Sequence, residues 1–303
     1  MKLLLLFLFA DFTATWVTDA DLDQIAQRRD LHRLSLAQTR ITDDGLERLR
    51  DLIGVRELDL YFAEFITDDG LAALAGWDKL ERLNLRGTRL TSRAFETIAK
   101  LSSLKHLDLS YSQIDDSNVE LLADLPQLES LSLGGTRIGV QALSALRLVP
   151  NLKHLDLSGM QRVDSGHWGL SLTPAVLEEL GGLEGLRTLR LNGAVLSDLG
   201  ADRPGLKEEQ RQSIEGVEKL ARLKNLELLD LSRTPVSVAG LQALKSLPHL
   251  RELRLAYARN IDDSLVPLLK EWPLATLAIE GTAITPDGVE KLRKTKPSLR
   301  LLP

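Results

Sequence analysis

The sequence predicts an α/β solenoid: a right-handed coil of short repeats, horseshoe-shaped, with a parallel β-sheet on its concave face and helices on its convex face. Three observations carry this. Leucine fills 68 of 303 positions, and dependence on one residue type to that degree signals periodicity. A pattern of the form L-x-x-L-x-L begins at Leu31, Val55, Leu80, Leu104, Leu128, Leu152, Leu186, Leu226, Leu250, Leu274 and Leu299, so eight of its ten intervals agree to within a single position. The tail of the unit recurs as well, as Ile41-Thr42-Asp43-Asp44-Gly45-Leu46, Ile66-Thr67-Asp68-Asp69-Gly70-Leu71 and Ile284-Thr285-Pro286-Asp287-Gly288-Val289.

The first half of each unit reads as a strand. In the segment starting at Leu104, Leu107 and Leu109 point inward while His106, Asp108 and Ser110 point out. The second half reads as a helix with apolar residues three apart, as in Leu46, Leu49 and Leu52. Thirteen residues before the next strand's first leucine stand Thr18, Thr42, Thr67, Thr91, Asp115, Thr173, Ser213 and Ser237. Their side-chain oxygens suit the helix N-cap. Pro174 and Pro286 follow a threonine and suit the first helical position. Aspartates in the first turn favour the positive end of the helix dipole. A strand, turn, helix and return in so short a unit repeats only as a right-handed coil with a parallel sheet. No unit buries its leucines alone, so stacking makes one continuous core. The expected organisation is a single domain over 1–303, with repeats starting at 7, 31, 55, 80, 104, 128, 152, 186, 226, 250 and 274 and a closing strand at 299–303.

These units resemble leucine-rich repeats. The L-x-x-L-x-L-x-x-T-x-I-T-D-x-G-L pattern covers nearly all of the chain and is similar to the 24-residue repeats of bacterial leucine-rich-repeat proteins and of the F-box-linked and ribonuclease-inhibitor-like classes. One departure stands out. The family's usual asparagine at position nine is Thr39, Thr88, Ser112, Thr136, Thr234 and Thr282 here. A hydroxyl bonds the turn backbone locally but cannot both donate and accept across repeats as an amide does. The asparagine ladder is therefore expected to be absent.

The N-terminus has two readings. Lys2, Leu3 and the apolar run to Ala10 resemble a short signal peptide, cleaved after residue 10 or 14. Alternatively, Phe7 opens a first repeat, one full period before Leu31. At the other end Pro303 blunts the last strand edge, since proline cannot donate to a neighbour. The chain has no cysteine, which excludes disulfide caps, thiolate metal sites and cysteine nucleophiles, and it has no N-x-S/T sequon. Those features favour a bacterial or intracellular setting, and the expected location is cytoplasmic, with export as the alternative. A net charge of −5 argues against nucleic acid, which selects a basic footprint. A mean hydropathy of −0.06 without a later long apolar run argues against an integral membrane span.

Function is expected on the outward strand positions and on two inserted segments. The outward columns mix charges with small residues, the surface of a protein or peptide binder. Their candidate contacts are His106, Asp108, His154, Asp156, Arg190, Asn192, Asp230 and Arg254. The longer intervals place insertions at 161–172 and 197–212, on one edge, where inserted loops often bind. These supply Arg162, His167, Trp168 and Arg203. Trp168 is the one tryptophan that the core positions do not claim, while Trp77 and Trp272 read as packing residues near the return turn. Tyr61 with Phe62, Tyr111 and Tyr257 fall on the same edge. A hydrolase reading with Ser130 as nucleophile and His106 or His154 as base lacks an oxyanion hole or shelter from water. No cofactor, metal or catalytic motif is recognised. The expectation is a monomeric, non-enzymatic protein-interaction scaffold. The resemblance also implies two alternatives: a substrate-recognition subunit of a ubiquitin-ligase-like complex, without an F-box in this sequence, or a GTPase regulator using Arg137 or Arg203.

Overall fold

The computed structural model describes residues 8–159, 169–195 and 216–302. The chain divides into two compact units, Met1–Leu152 and Lys153–Pro303. The first holds β1 (Phe9–Asp11), β2 (Arg33–Ser35), β3 (Glu57–Asp59), β4 (Arg82–Asn84), β5 (His106–Asp108) and β6 (Ser130–Ser132). Each pairs in parallel with the next, and the inward leucines Leu34, Leu58, Leu83, Leu107 and Leu131 lie in register. The second unit holds β7 (His154–Asp156), β8 (Thr188–Arg190), β9 (Leu228–Asp230), β10 (Glu252–Arg254), β11 (Thr276–Ala278) and β12 (Arg300–Leu302), again parallel neighbours in chain order. Phe9 pairs with Arg33; Phe7, where the first repeat is expected to open, lies outside the described residues.

Between strands the chain returns through short helices such as Asp43–Arg48, Val140–Leu146 and Pro174–Gly181, several replaced or extended by 3₁₀ turns such as Val119–Asp124 and Val217–Arg222. With little more than a dozen residues for the return, each has room to bury only one or two leucine turns. Leu46, Leu71, Leu122, Leu177, Leu220 and Leu244 are fully buried against the strand leucines. Trp77 and Trp272 are buried packing residues, as the pattern implied. Trp16 is not: it stands 86% exposed, because it precedes the apolar Val17 at a position that faces out in every repeat of this unit.

Three recurring devices shape the repeats. The position-nine hydroxyls donate to the carbonyl three residues back, Thr39 to Leu36 at 2.7 Å, Thr88 to Leu85 at 2.6 Å, and Thr136, Thr234 and Thr282 likewise. Each closes its own turn and reaches no neighbour, as expected for a hydroxyl.

The second device works between repeats. Thr18, Thr42, Thr67 and Thr91 cap their helices, and the carboxylate after each of the first three holds the cap of the following repeat. Thr42 donates its amide to Asp19 at 2.9 Å and its hydroxyl at 2.7 Å; Thr67 does the same to Asp43 at 2.8 and 2.6 Å, and Thr91 to Asp68 at 2.9 and 2.6 Å. Thr285 repeats the arrangement with Asp263 in the second unit. The first-turn aspartates are thus staples between repeats as well as complements to a dipole. Gly45 and Gly70 leave room for them, since a methyl there would come within 2.2 Å of Asp19 or Asp43 Oδ1. At Asp115 the pattern inverts: its carboxylate accepts from the Ser92 hydroxyl at 2.7 Å, and the cap position passes to Asn118. Asp115 is therefore not the N-cap that its spacing implied, and Ser213 lies outside the described residues.

The third device is a left-handed residue eight places into the repeat: Ala14, Gln38, Phe62, Tyr111, Arg233 and Tyr257 alternate there with Gly87, Gly135, Gly193 and Gly281. Each of the aromatics Phe62, Tyr111 and Tyr257 is followed one repeat later by a glycine. A methyl added at Gly135 would stand 2.7 Å from the Tyr111 ring, so the ring occupies space that only glycine leaves.

The first insertion is partly built into the fold. Leu170 and Leu172 are buried, and the Val195 amide donates to Leu170 O at 2.9 Å while the Leu172 amide donates to Val195 O at 2.7 Å.

Candidate functional site

In the first unit the outward strand residues form an open trough of about 540 Å³ lined by Phe9, Arg33, Glu57, Asp59, Arg82, Asn84, His106, Asp108 and the small residues between them. Its first row runs Phe9, Arg33, Glu57, Arg82, His106, Ser130. Glu57 takes Arg33 at 2.8 Å and Arg82 at 4.0 Å, and Arg33 lies 5.2 Å from the Phe9 ring centre. The second row alternates acid with neutral polar residue: Asp11, Ser35, Asp59, Asn84, Asp108, Ser132.

This second row has a structural duty that sequence reading did not assign. Asp11, Asp59, Asn84 and Asp108 each accept the amide two residues on, at 2.9, 3.0, 3.1 and 2.8 Å. Asp156 and Asp230 do the same for Ser158 and Ser232, both at 2.9 Å. One side-chain oxygen of each therefore closes the strand end. Burial pushes the Asp59 carboxyl above its ordinary value, against the lowering pull of the Tyr61 amide and the Asn84 side chain; Asp11 and Asp108 add a smaller push upward.

In the second unit the row Asp156, Arg190, Asp230, Arg254 alternates sign in strand register. Arg254 also reaches Glu252 on its own strand at 2.6 Å. His154 Nδ1 and the Thr188 hydroxyl share a hydrogen bond of 3.0 Å. Beside them a hollow of about 430 Å³ is lined by Asn192, Asp230, Ser232, Arg233, Arg254, Tyr257 and the apolar Ala256, Ala278 and Leu302. Arg233 lies 4.3 Å from the Tyr257 ring centre. The Tyr257 hydroxyl donates to Glu280 at 2.6 Å, and that bond, with the charge behind it, raises the phenol pKa.

Of the residues expected from sequence, His106 and Asp108 line the trough of the first unit. Asn192, Asp230 and Arg254 meet at the hollow of the second, with His154, Asp156 and Arg190 on the adjoining strands. Arg162, His167, Trp168 and Arg203 lie outside the described residues. Arg82, Asn84 and Asp59 also line the trough; a column of outward positions does not show which of its members the stacking gathers into one hollow. Among the described residues, no group of three or more His, Asp and Glu side chains is placed to hold a metal ion, and no helix is long and apolar enough to cross a membrane.

Comparison with known proteins agrees with this architecture. Two leucine-rich-repeat family models match, over residues 78–138 and 55–75. No curated protein sequence matches the chain. Among solved structures, an internalin from Listeria monocytogenes superposes with a TM-score of 0.62 at 18% identity, over 95% of this chain and 71% of that one. An internalin C2 from the same organism gives 0.42 at 26% identity, over 89% and 84%. A leucine-rich-repeat protein of Leptospira interrogans gives 0.39 at 17%, over 94% and 87%.

Proposed function

Because the chain is a leucine-rich-repeat protein, we propose that it acts without catalysis, as a recognition scaffold that holds a protein or peptide partner on the outward strand faces of its two units. Repeat proteins of this kind commonly serve as interaction scaffolds. The observation that carries the reading is the trough of the first unit. Its side chains stand in rows on neighbouring strands about 4.8 Å apart, alternate in sign and polarity, and remain open to solvent along its length. Such a surface offers many weak, directional contacts to an extended polypeptide. It does not enclose a small molecule, whose sites bury most of the ligand. The ubiquitin-ligase-like and GTPase-regulator alternatives rest on resemblance alone.

The test is site-specific crosslinking. A photoreactive residue at Asn84 or Asn192, on the strand faces, is expected to capture a partner polypeptide that the same group at Lys291, on the helix side, does not. Arg82→Glu and Arg254→Glu should lower that yield. Equal crosslinking from all three positions would remove the strand faces as the recognition surface.

A further inference from the structure

The residue just before the apolar position that precedes each cap forms a column on the rim of the first unit: Trp16, Arg40, Phe65 and Arg89, ahead of Val17, Ile41, Ile66 and Leu90. Phe65 is there because its repeat is one position longer than its neighbours, and the extra residue falls at this point. Trp16 is 86% exposed, Phe65 39%, and Phe62 beside it 36%. The Arg40 and Arg89 guanidinium carbons lie 6.0 and 5.6 Å from the Phe65 ring centre, one from each side. Just inward, Arg86 lies 4.6 Å from the Tyr111 ring and 6.0 Å from the Tyr61 ring, with its Nε buried and lacking a hydrogen-bond partner.

The balance of donors and acceptors decides what this rim fits. Among the described residues, Arg40, Arg86 and Arg89 have no ion pair, whereas Arg33, Arg48, Arg50, Arg56 and Arg93 in the same unit do. The nearby carboxylates of Asp43 and Asp68 are taken up by the Thr67 and Thr91 caps. Glu64 sits beside Phe65 in the sequence, and the three arginines outnumber it on a chain whose net charge is −5. A ring holds the flat face of a guanidinium and leaves its N–H edge free for a bidentate oxyanion. Exposed tryptophan beside arginine is the composition of interface anchors.

We propose that this rim is a docking surface for an acidic polypeptide segment, whose carboxylates bridge the edges of Arg40, Arg86 and Arg89 while an apolar side chain rests on Trp16 or Phe65. The inference rests on the reading of the chain as a polypeptide binder but not on the strand faces. A protein segment fits better than nucleic acid, because three cations around a glutamate on an acidic chain do not make the field a polyanion selects.

The test uses the full chain and short fluorescein-labelled peptides of alternating glutamate and alanine, with glutamine and lysine counterparts, read by anisotropy. The glutamate peptide is expected to bind, to weaken as salt rises, and to outcompete both counterparts. The Arg40→Gln, Arg89→Gln double variant should lose about tenfold in affinity. Arg→Lys at the same sites should fall between, since the charge stays while the planar fork goes. Lys291→Gln with Arg293→Gln, on the last helix, should change nothing. The inference is overturned if the Arg→Gln variant binds as the unaltered chain does, or if the glutamine peptide binds equally well. It also falls if a single-stranded oligonucleotide of equal charge displaces the peptide at lower concentration, which gives the rim to nucleic acid. Binding lost in Arg190→Gln with Arg254→Gln, but kept in the rim variants, would move the acidic segment to the strand face. That result sinks the rim and leaves the scaffold reading standing. Equal crosslinking from Asn84, Asn192 and Lys291, with peptide binding still lost in the rim variant, would do the reverse.

Discussion

Gly135→Ala puts a methyl where the Tyr111 ring already is. The added carbon would lie 2.7 Å from Cδ1 and 2.8 Å from Cε1 of that ring, against an ordinary carbon contact of about 3.5–4.0 Å. The ring must move by about 1 Å, which overpacking measurements place at about 1–3 kcal/mol. Gly135 also has φ +72°, a left-handed conformation in which alanine is about 1–2 kcal/mol worse than glycine. The chain tolerates that conformation at Ala14 and Gln38, so the lower end applies and the expected total is about 2–4 kcal/mol. Replacing Tyr111 with alanine separates the two parts. In that background Gly135→Ala should retain only the conformational loss of about 1 kcal/mol, a coupling of about 1–3 kcal/mol between the sites. Urea unfolding followed by circular dichroism gives the four free energies. Gly76→Ala is the control, because nothing lies within 4 Å of its added methyl. If Gly135→Ala matches the control, or if removing the Tyr111 ring leaves its effect unchanged, the ring-over-glycine account is wrong.

Further expectations follow from the same contacts. Asp43→Ala removes both acceptors from Thr67 and should destabilise by about 2–3 kcal/mol, with Asp43→Asn intermediate because one acceptor for the Thr67 amide survives; amide hydrogen exchange at Thr67 reports the loss locally. Thr88→Val removes the hydroxyl donor from the Leu85 carbonyl, leaving it only the longer bond from the Thr88 amide at 3.3 Å, and should lower the unfolding free energy by about 1 kcal/mol, read from the urea midpoint. Asp59→Asn should stabilise the chain near neutral pH, since Asn84 already performs the same amide-accepting duty on the next strand. The sign follows from burial: the folded carboxyl is raised above its ordinary value of 3.8, so its contribution is full below that value and is lost as pH rises through the folded one. The gain from Asp59→Asn should therefore be absent in acid and appear as pH rises; a pH-independent difference would refute the burial account.

What the sequence disclosed was governed by local period. The inward leucines, the threonine caps and the turn hydroxyls occupy positions fixed by their own repeat, and the structure has them there. What it concealed depends on stacking. Asp19 and Thr42 belong to successive repeats, and nothing in either repeat alone says that one holds the other. Asp108, Asp156 and Asp230 read as free surface acids, yet each spends one oxygen on a backbone amide that only the strand's end geometry reveals. Trp16 was absorbed into the core pattern by composition, although its place one residue before an apolar position was the available signal. The longer interval between Val55 and Leu80 was visible too, and its consequence, an exposed Phe65 between two arginines, required the neighbouring repeats.

The carboxylate staples also have a direction: from Asp19 through Asp68, the acid always belongs to the earlier repeat and the cap to the later one. Thr42 with Asp43, and Thr67 with Asp68, each carry a receiving half and a giving half in adjacent residues. A tandem duplication of either repeat would therefore join correctly at both seams without any compensating change. The repeat capped by Thr91 cannot be copied so freely, because Ser92 stands where the giving carboxylate would be. The first unit thus contains modules that lengthen the array by simple copying and one that brings such copying to a halt.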